Sequence, residues 1–386
     1  MKKLIAIILT LVLVGILVAC ATPAPEPAQP AQPAQPAQPA DPAQPADPAQ
    51  PADPAQPPAE APGRAAVIFG VGGLGDLGFN DLVYAGMRRA YTEHGIPFDF
   101  AEPTAIADFD FIIRDMASSG LYDIIVNVGF GQIDPLTRIA PEFPDQIFAL
   151  IDGIVDAPNV ISYISKEEEG SFLVGAMAGL MMYDNVQHGL SDSNVLGFVG
   201  AVENPLIVKF YAGFASGARF VNPDIRIYRD FIGGASPFND PTLAAELALS
   251  QHHRGAAIVY HAAGGSGLGV FTAAGDAGFY AIGVNANQNH LAPDTIIASM
   301  LKRVDTAAYY AVRSTIIDRN PPVGTTIVLG LAEDGVGYTL EFSNIFVDPA
   351  IVAVLEDLRM RIIAGELVIP ETYDEVETFL AANTFR

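Results

Sequence analysis

Apolar residues along this chain follow two patterns. Short uninterrupted apolar runs, of the kind that form strands buried on both faces, occupy residues 65–71, 97–100, 123–128, 147–152, 160–164, 195–199, 225–231, 256–260, 280–284 and 296–300. Between them apolar positions recur at helical spacing. That spacing predicts a helix from Phe79 to a stop at Gly95, then helices over 106–119, 134–140, 167–183, 205–220, 240–252, 267–277 and 304–317, and a last amphipathic one over 349–363. Alternating strands and helices imply parallel sheets covered on both sides. There are too many units for one open sheet, so the expected fold class is α/β, with two doubly wound parallel-sheet lobes joined by hinge crossings. A ligand cleft should face the carboxyl ends of the strands. Residues 64–163 are assigned to lobe I and 164–295 to lobe II, with 296–386 returning to lobe I.

The amino-terminal stretch breaks this pattern. Met1, Lys2 and Lys3 precede a run from Leu4 to Ala19 that is apolar apart from Thr10 and Gly15, and Cys20, the chain's single cysteine, follows. Its charge and length read as a secretory signal over residues 1–20. Leu17-Val-Ala-Cys20 resembles the lipobox of bacterial lipoproteins, which implies cleavage before Cys20 and lipidation of its sulfur. Residues 21–63 repeat Ala-Gln-Pro and Ala-Asp-Pro and hold 15 of the 30 prolines. Such a segment has too little apolar surface to offset its ordering entropy. It reads as an extended tether reaching on the order of 100 Å. The protein is thus expected at the cell membrane, lipid-anchored on the extracytoplasmic face.

Composition narrows the partners. Lys and Arg number 20 against 44 Asp and Glu, a formal net charge of −24. Only Lys2 and Lys3 and five of the acidic residues precede Arg64, so the body itself carries −21. That charge repels phosphate backbones and argues against nucleic acid as a partner. A single cysteine excludes a disulfide framework. The histidines show no metal-ligand spacing: His252 and His253 are adjacent, and no H-E-x-x-H motif occurs. No metal and no cofactor is expected.

Two enzyme signatures come close. Gly70, Gly72 and Gly75 fit G-x-G-x-x-G after a strand, with Glu102 placed as a ribose-binding acid would be. Against a dinucleotide site, the helix starts only near Gly78 or Phe79, and Asp76 would sit beside the pyrophosphate. Ser266, between Gly265 and Gly267, resembles a nucleophile elbow, but G-x-S-x-G is not satisfied. The same loops read as a binding cleft without catalytic residues. Asp76, Phe79 and Asn80 stand at the mouth of the first helix, where an aromatic face beside an amide and a carboxylate suits a flat heterocycle with polar edges. Phe130 and Asp134 follow another strand, and Asp152 ends the next. Phe238 precedes a helix, the glycines from Gly264 to Gly269 give backbone amides access to a ligand, and Asn285, Asn287, Gln288 and Lys302 follow later strands.

In order along the chain, several stretches resemble the basic membrane protein family of ABC-transporter substrate-binding lipoproteins, especially its purine-nucleoside receptor branch. They include Val71-Gly-Gly-Leu-Gly-Asp76-Leu-Gly-Phe79-Asn80, Phe148-Ala-Leu-Ile-Asp152, Leu196-Gly-Phe-Val-Gly200, Ala262-Ala-Gly-Gly-Ser-Gly-Leu-Gly269, Ile282-Gly-Val-Asn285 and Ser299-Met-Leu-Lys302. The resemblance implies a fold like that of type I periplasmic-binding proteins, closing by a hinge on a nucleoside-like ligand that is handed to an ABC permease in the membrane. It further implies that Phe79 and Phe238 stack on the base, with Asp76, Asn80 and Asp134 or Asp152 near its edge. The family's Gly-Val-Asp-x-Asp-Gln reads here with Asn285 and Asn287 in place of both aspartates, which changes the acceptors offered to a ribose. An exported enzyme on the same scaffold, a dehydrogenase using the 70–75 loop, and a ligand sensor not coupled to transport remain alternative readings.

Overall fold

The apolar runs fold into two six-stranded sheets. The computed structural model describes residues 62–183, 190 and 193–385. The signal segment with Cys20, and the tether up to residue 61, lie outside the described residues.

The first lobe begins with β1 (Ala65–Ile68), α1 (Phe79–His94), β2 (Phe98–Ala101), α2 (Phe109–Ser118), β3 (Ile124–Val128), α3 (Ile133–Ile139), β4 (Ile147–Ile151) and β5 (Val160–Ser165). The chain then crosses at Lys166 into the second lobe. There it forms α4 (Glu167–Tyr183), β6 (Val195–Gly200), α5 (Pro205–Val221), β7 (Arg226–Phe231), α6 (Pro241–His253), β8 (Ile258–Ala262), α7 (Leu268–Ala277), β9 (Tyr280–Asn285) and β10 (Ile296–Lys302). After Arg303 it returns to the first lobe for α8 (Val304–Ile316) and β11 (Thr325–Leu329). It crosses back for β12 (Val336–Thr339), α9 (Pro349–Ile363) and α10 (Tyr373–Ala382).

The strand orders are β11-β5-β4-β3-β1-β2 and β12-β10-β9-β8-β6-β7. Every pairing is parallel except that of β12 with β10. Alternate residues of one strand feed opposite layers, as the period of two requires. Ala65 and Val67 pack with Val83 and Met87 of α1, whereas Ala66 and Ile68 pack with Phe109, Ile113 and Leu136 of α2 and α3. In the second lobe Leu196 and Phe198 face α4 and α5, and Val195 and Val199 face α6 and α7. The two-lobed parallel architecture is therefore the one that the alternation of elements implies.

The assignment of residues 296–386 to lobe I is corrected. β10 pairs with β9, with Ser299 opposite Gly283, and its Ile297, Ala298 and Met300 complete the second lobe's core with Ile282 and Val284. Leu355, Leu358 and Ile362 of α9 and Phe379 of α10 join that same core. Only α8 and β11 go back: Val304, Ala307, Ala308, Ala311 and Val312 cover the α1 side of the first sheet, and β11 extends the sheet beside β5. Residues 106–119 also divide, into a 3-10 turn at Ile106–Asp108 and then α2.

Helices α4 and α5 cross at backbone distance. A methyl group added at Gly217 would lie 2.0 Å from the Phe172 carbonyl oxygen, and one at Gly175 would lie 2.2 Å from that of Phe214. Glycine at these positions allows the approach that buries Phe172 and Phe214 completely. No helix among the described residues is long and apolar enough to cross a membrane.

Candidate functional site

The carboxyl ends of both sheets face each other across a cavity with ≈ 110 Å³ open to the centres of water molecules. The first lobe lines it from the loop after β1 (Gly70, Gly72, Asp76), from Phe79 and Asn80 at the start of α1, from Phe130 after β3 and from Asp152 after β4. The second lobe contributes Phe238, Gly264 after β8, Asn285 at the end of β9 and Lys302 at the end of β10. These include nine of the residues singled out from sequence: Asp76, Phe79, Asn80, Phe130, Asp152, Phe238, Gly264, Asn285 and Lys302.

Asp134 is not among them. It sits in the first turn of α3 and is exposed, because Pro135, Leu136 and Ile139 occupy that helix's inward face. Asn287 is also turned away: its amide donates to the Glu341 carbonyl (3.3 Å) and accepts from the Asn289 N–H (3.1 Å). Of Asn285 and Asn287, only Asn285 lines the cavity.

The loop after β1 is held by its own carboxylates. Asp76 accepts from the backbone N–H groups of Gly78 (2.9 Å), Asn80 (2.9 Å) and Asp81 (3.2 Å) and from the Asn80 side chain (3.2 Å). Burial nevertheless raises its pKa, with those hydrogen bonds working against the shift. Asn80 Oδ1 accepts from the Gly70 N–H at 3.0 Å. Asp81 takes the N–H groups of Gly75 and Leu77, and Glu102 that of Leu74. A dinucleotide loop must leave such amides for a pyrophosphate; here carboxylates already occupy them.

Ser266 is buried and fully engaged. Its hydroxyl donates to the Pro237 carbonyl (2.9 Å) and accepts from the Asp240 N–H (2.7 Å), while its own N–H bonds the Phe238 carbonyl (3.1 Å). It pins the loop that carries Phe238, and both bonds of its hydroxyl go to backbone groups, where a nucleophile elbow would pair it with a base. Among the described residues no cluster of three His, Cys, Asp or Glu could hold a metal ion.

Beneath the aromatic rings lies a buried charge cluster. Lys302 Nζ is 2.5 Å from Asp152 Oδ2 and 2.7 Å from Glu167 Oε1, and all three side chains are at most 4% exposed. Burial alone would lower the lysine's pKa, but the two carboxylates outweigh it and hold the ammonium above its ordinary range. Burial raises the pKa of Glu167, with Lys302 opposing. The ammonium also lies 5.3 Å from the Phe79 ring centroid and 5.5 Å from that of Phe210, within cation–π range.

Asp152 and Asn285 occupy equivalent places in the two lobes. Each follows or ends a strand in the left-handed region, at φ 66°. Asp152 Oδ1 and Asn285 Oδ1 are buried and have no hydrogen-bond partner among the described residues. An acceptor left in that state costs roughly 1–3 kcal/mol, so both call for donors from whatever fills the cavity.

Phe79 and Phe238 both line this space, from opposite lobes. The ring in contact with Phe238 is Phe130, at 6.2 Å between centroids and tilted by 54°. Gly264, at φ 55°, leaves room for Phe238: a methyl group there would stand 3.4 Å from its ring.

Sequence reasoning did not single out Phe210, Leu206 or Ile207 on the first turns of α5, nor Ile106 and Phe109, all of which line the cavity. Their helical spacing reads as a core stripe. The available signal lay at the start of α5, where Asn204 caps the Ile207 N–H at 2.9 Å and Pro205 opens the helix, fixing that turn toward the strand ends. Glu167 was missed for a different reason. It begins a three-acid run at a helix start, and such runs normally complement the helix dipole in solvent.

Comparisons with known proteins agree with this architecture. Residues 64–373 match the family model Bmp, described as ABC transporter substrate-binding protein PnrA-like. An uncharacterized lipoprotein of Pyrococcus furiosus is 32% identical over 287 residues, spanning 71% of this chain and 69% of its own length. Basic membrane protein D of Borreliella burgdorferi is 30% identical over 277 residues, 70% of this chain and 76% of that protein. Among solved structures, an ABC transporter system solute-binding protein from Aeropyrum pernix K1 superimposes with a TM-score of 0.75 at 30% identity, covering 83% of this chain and 98% of that one. With its two parallel lobes, its interlobe cavity and a family match running from Arg64 into the last helix, this chain belongs to the Bmp family of PnrA-like ABC-transporter substrate-binding proteins.

Proposed function

We propose that this protein is the extracytoplasmic receptor of an ABC importer, held to the membrane by lipid on Cys20, and that it captures a nucleoside or related heterocycle by hinge closure without catalysing any reaction. The observation that carries the reading is the composition of the cavity. Phenyl rings from both lobes, Phe79 and Phe238, line it together with two unpartnered acceptors, Asp152 Oδ1 and Asn285 Oδ1. A flat ring system meets the phenyl faces, and its donor groups satisfy the acceptors. Asp152 and Asn285 belong to different lobes, so a ligand bonded to both binds the closed state better than the open one and shifts the population toward it.

Charge supports an uncharged ligand. Asp152 and Glu167 outnumber Lys302 in the cluster, and the body carries −21, which disfavours phosphorylated ligands. Delivery to a permease follows from membership of the family. A thermal-shift screen of purine and pyrimidine nucleosides, riboflavin and free sugars tests the ligand class. Stabilisation by a nucleoside and none by its 5′-monophosphate is the expected result; flat curves for every heterocycle would refute the class.

A further inference from the structure

Gln288 is 1% exposed and does not line the cavity, yet it joins the lobes. Its Oε1 accepts the Val284 N–H at 2.8 Å, and its own N–H donates to the Ser299 hydroxyl at 3.0 Å, so the residue is held rigidly by the second lobe. Gly283 leaves room for it: a methyl group there would fall 3.0 Å from Oε1. With Oε1 occupied, the amide nitrogen points across the cleft and donates to the Leu77 carbonyl of the first lobe at 3.1 Å. Leu77 adopts φ 48°, in the left-handed region, and its N–H is held by Asp81 at 3.0 Å. The turn that aims this carbonyl at Gln288 is thus fixed from its own side, and it is the turn that carries Asp76, Phe79 and Asn80.

We infer that Gln288 is an interlobe latch, a positioning residue that favours the closed lobes through the Leu77 carbonyl and, with them, the alignment of the Phe79 loop against Asn285. The inference rests on closure by a hinge. The bond uses protein atoms alone, so it biases the equilibrium before any ligand arrives. A hydrogen bond of ordinary net strength changes the closed-to-open ratio by roughly three- to tenfold. Where the closed state is a small minority, apparent affinity rises by about the same factor, because it scales with the closed fraction.

The test uses the full chain carrying C20S and spin labels at A107C and A235C, exposed positions beside Thr104 and Ser236, which face each other across the cleft mouth. Distances are measured by double electron–electron resonance without ligand. Q288E keeps an acceptor for Val284 and removes the donor toward Leu77; Q288M removes both and cannot regain a donor by protonation. The expected result is a three- to tenfold fall in the short-distance fraction relative to the long one in both variants, a change that a loss of stability alone would not produce. Equal distributions in the parent and both variants would overturn the latch. Adding saturating inosine to the parent addresses closure itself: a shift to the short distance there, with no difference among ligand-free proteins, refutes the latch and leaves the hinge reading standing.

Discussion

Lys302, at the end of β10 in the second lobe, holds its ammonium 2.5 Å from the Asp152 carboxylate at the end of β4 in the first. The bond joins the two lobes beside the Phe79 and Phe210 rings. Glu167, at the crossing into α4, completes the cluster at 2.7 Å. Two carboxylates share one buried ammonium, and that imbalance separates the consequences of changing each member.

Removing the ammonium should cost far more than removing either acid. K302M leaves two buried carboxylates facing each other without a counter-charge, and breaking a buried pair in this way costs about 3–5 kcal/mol. D152N keeps the shape and leaves Lys302 paired with Glu167, so its stability should change by less than about 1.5 kcal/mol. Urea unfolding of the two variants at pH 7 checks the order; equal losses would contradict it.

Glu168 predicts a pH dependence. Burial pushes its carboxyl up to about 8, with Lys209, 3.9 Å away, opposing and Glu167 and Glu371 adding to the rise. The folded protein therefore holds this proton more tightly than the unfolded chain does. Its stabilising contribution is complete below the ordinary carboxylate range near 4.5 and is lost as pH rises toward 8. E168Q should flatten the fall in stability between pH 5 and 8 and exceed the parent at pH 8. Urea midpoints across that range provide the measurement, and parallel curves would rule the assignment out.

At Gly217 the crossing of α4 and α5 leaves no room for a side chain. G217A gains helix propensity worth about 1 kcal/mol, but its methyl group would meet the Phe172 carbonyl at 2.0 Å. Overpacking of that kind costs typically 1–3 kcal/mol, and relief requires two backbones to separate. A net loss of stability is expected by thermal unfolding; a stabilised variant would show that the helices can move apart freely.

Two substitutions separate the cavity from its surroundings. F238A removes a ring that lines the cavity, and affinity for the best ligand of the screen should fall about 10- to 100-fold, in line with loss of a stacked aromatic and its buried area. D134A removes an exposed carboxylate outside the cavity and should leave affinity unchanged within twofold. Competition binding against the parent distinguishes them.

The sequence carried the alternation of elements and the ends of the strands because both follow from burial. α9 spans the 349–363 stretch that the apolar pattern predicts, and α4 begins at Glu167 as that pattern does. β11 and β12 were not legible. Thr325–Leu329 is an edge strand with three exposed positions, and Val336–Thr339 is short and mostly half-buried, so neither leaves an apolar run to read. The lobe to which β10 belongs was equally hidden, since a strand buried on both faces fits either sheet and only its pairing with β9 decides. At the site, strand-end residues such as Asp152 and Asn285 were legible because fold class places ligands there. Phe210 and Glu167 were not, because a helix's inward stripe and a capping acid look the same whether they face a core or a cavity.

Calorimetric titration of the full chain with purine nucleosides, run beside D152N and free ribose, tests the central claim most directly. The account predicts saturable one-to-one binding of a nucleoside with a negative heat-capacity change, weakened about tenfold or more in D152N, and no heat from ribose. Tight binding of ribose with none of any nucleoside, or nucleoside binding indifferent to Asp152, would contradict it.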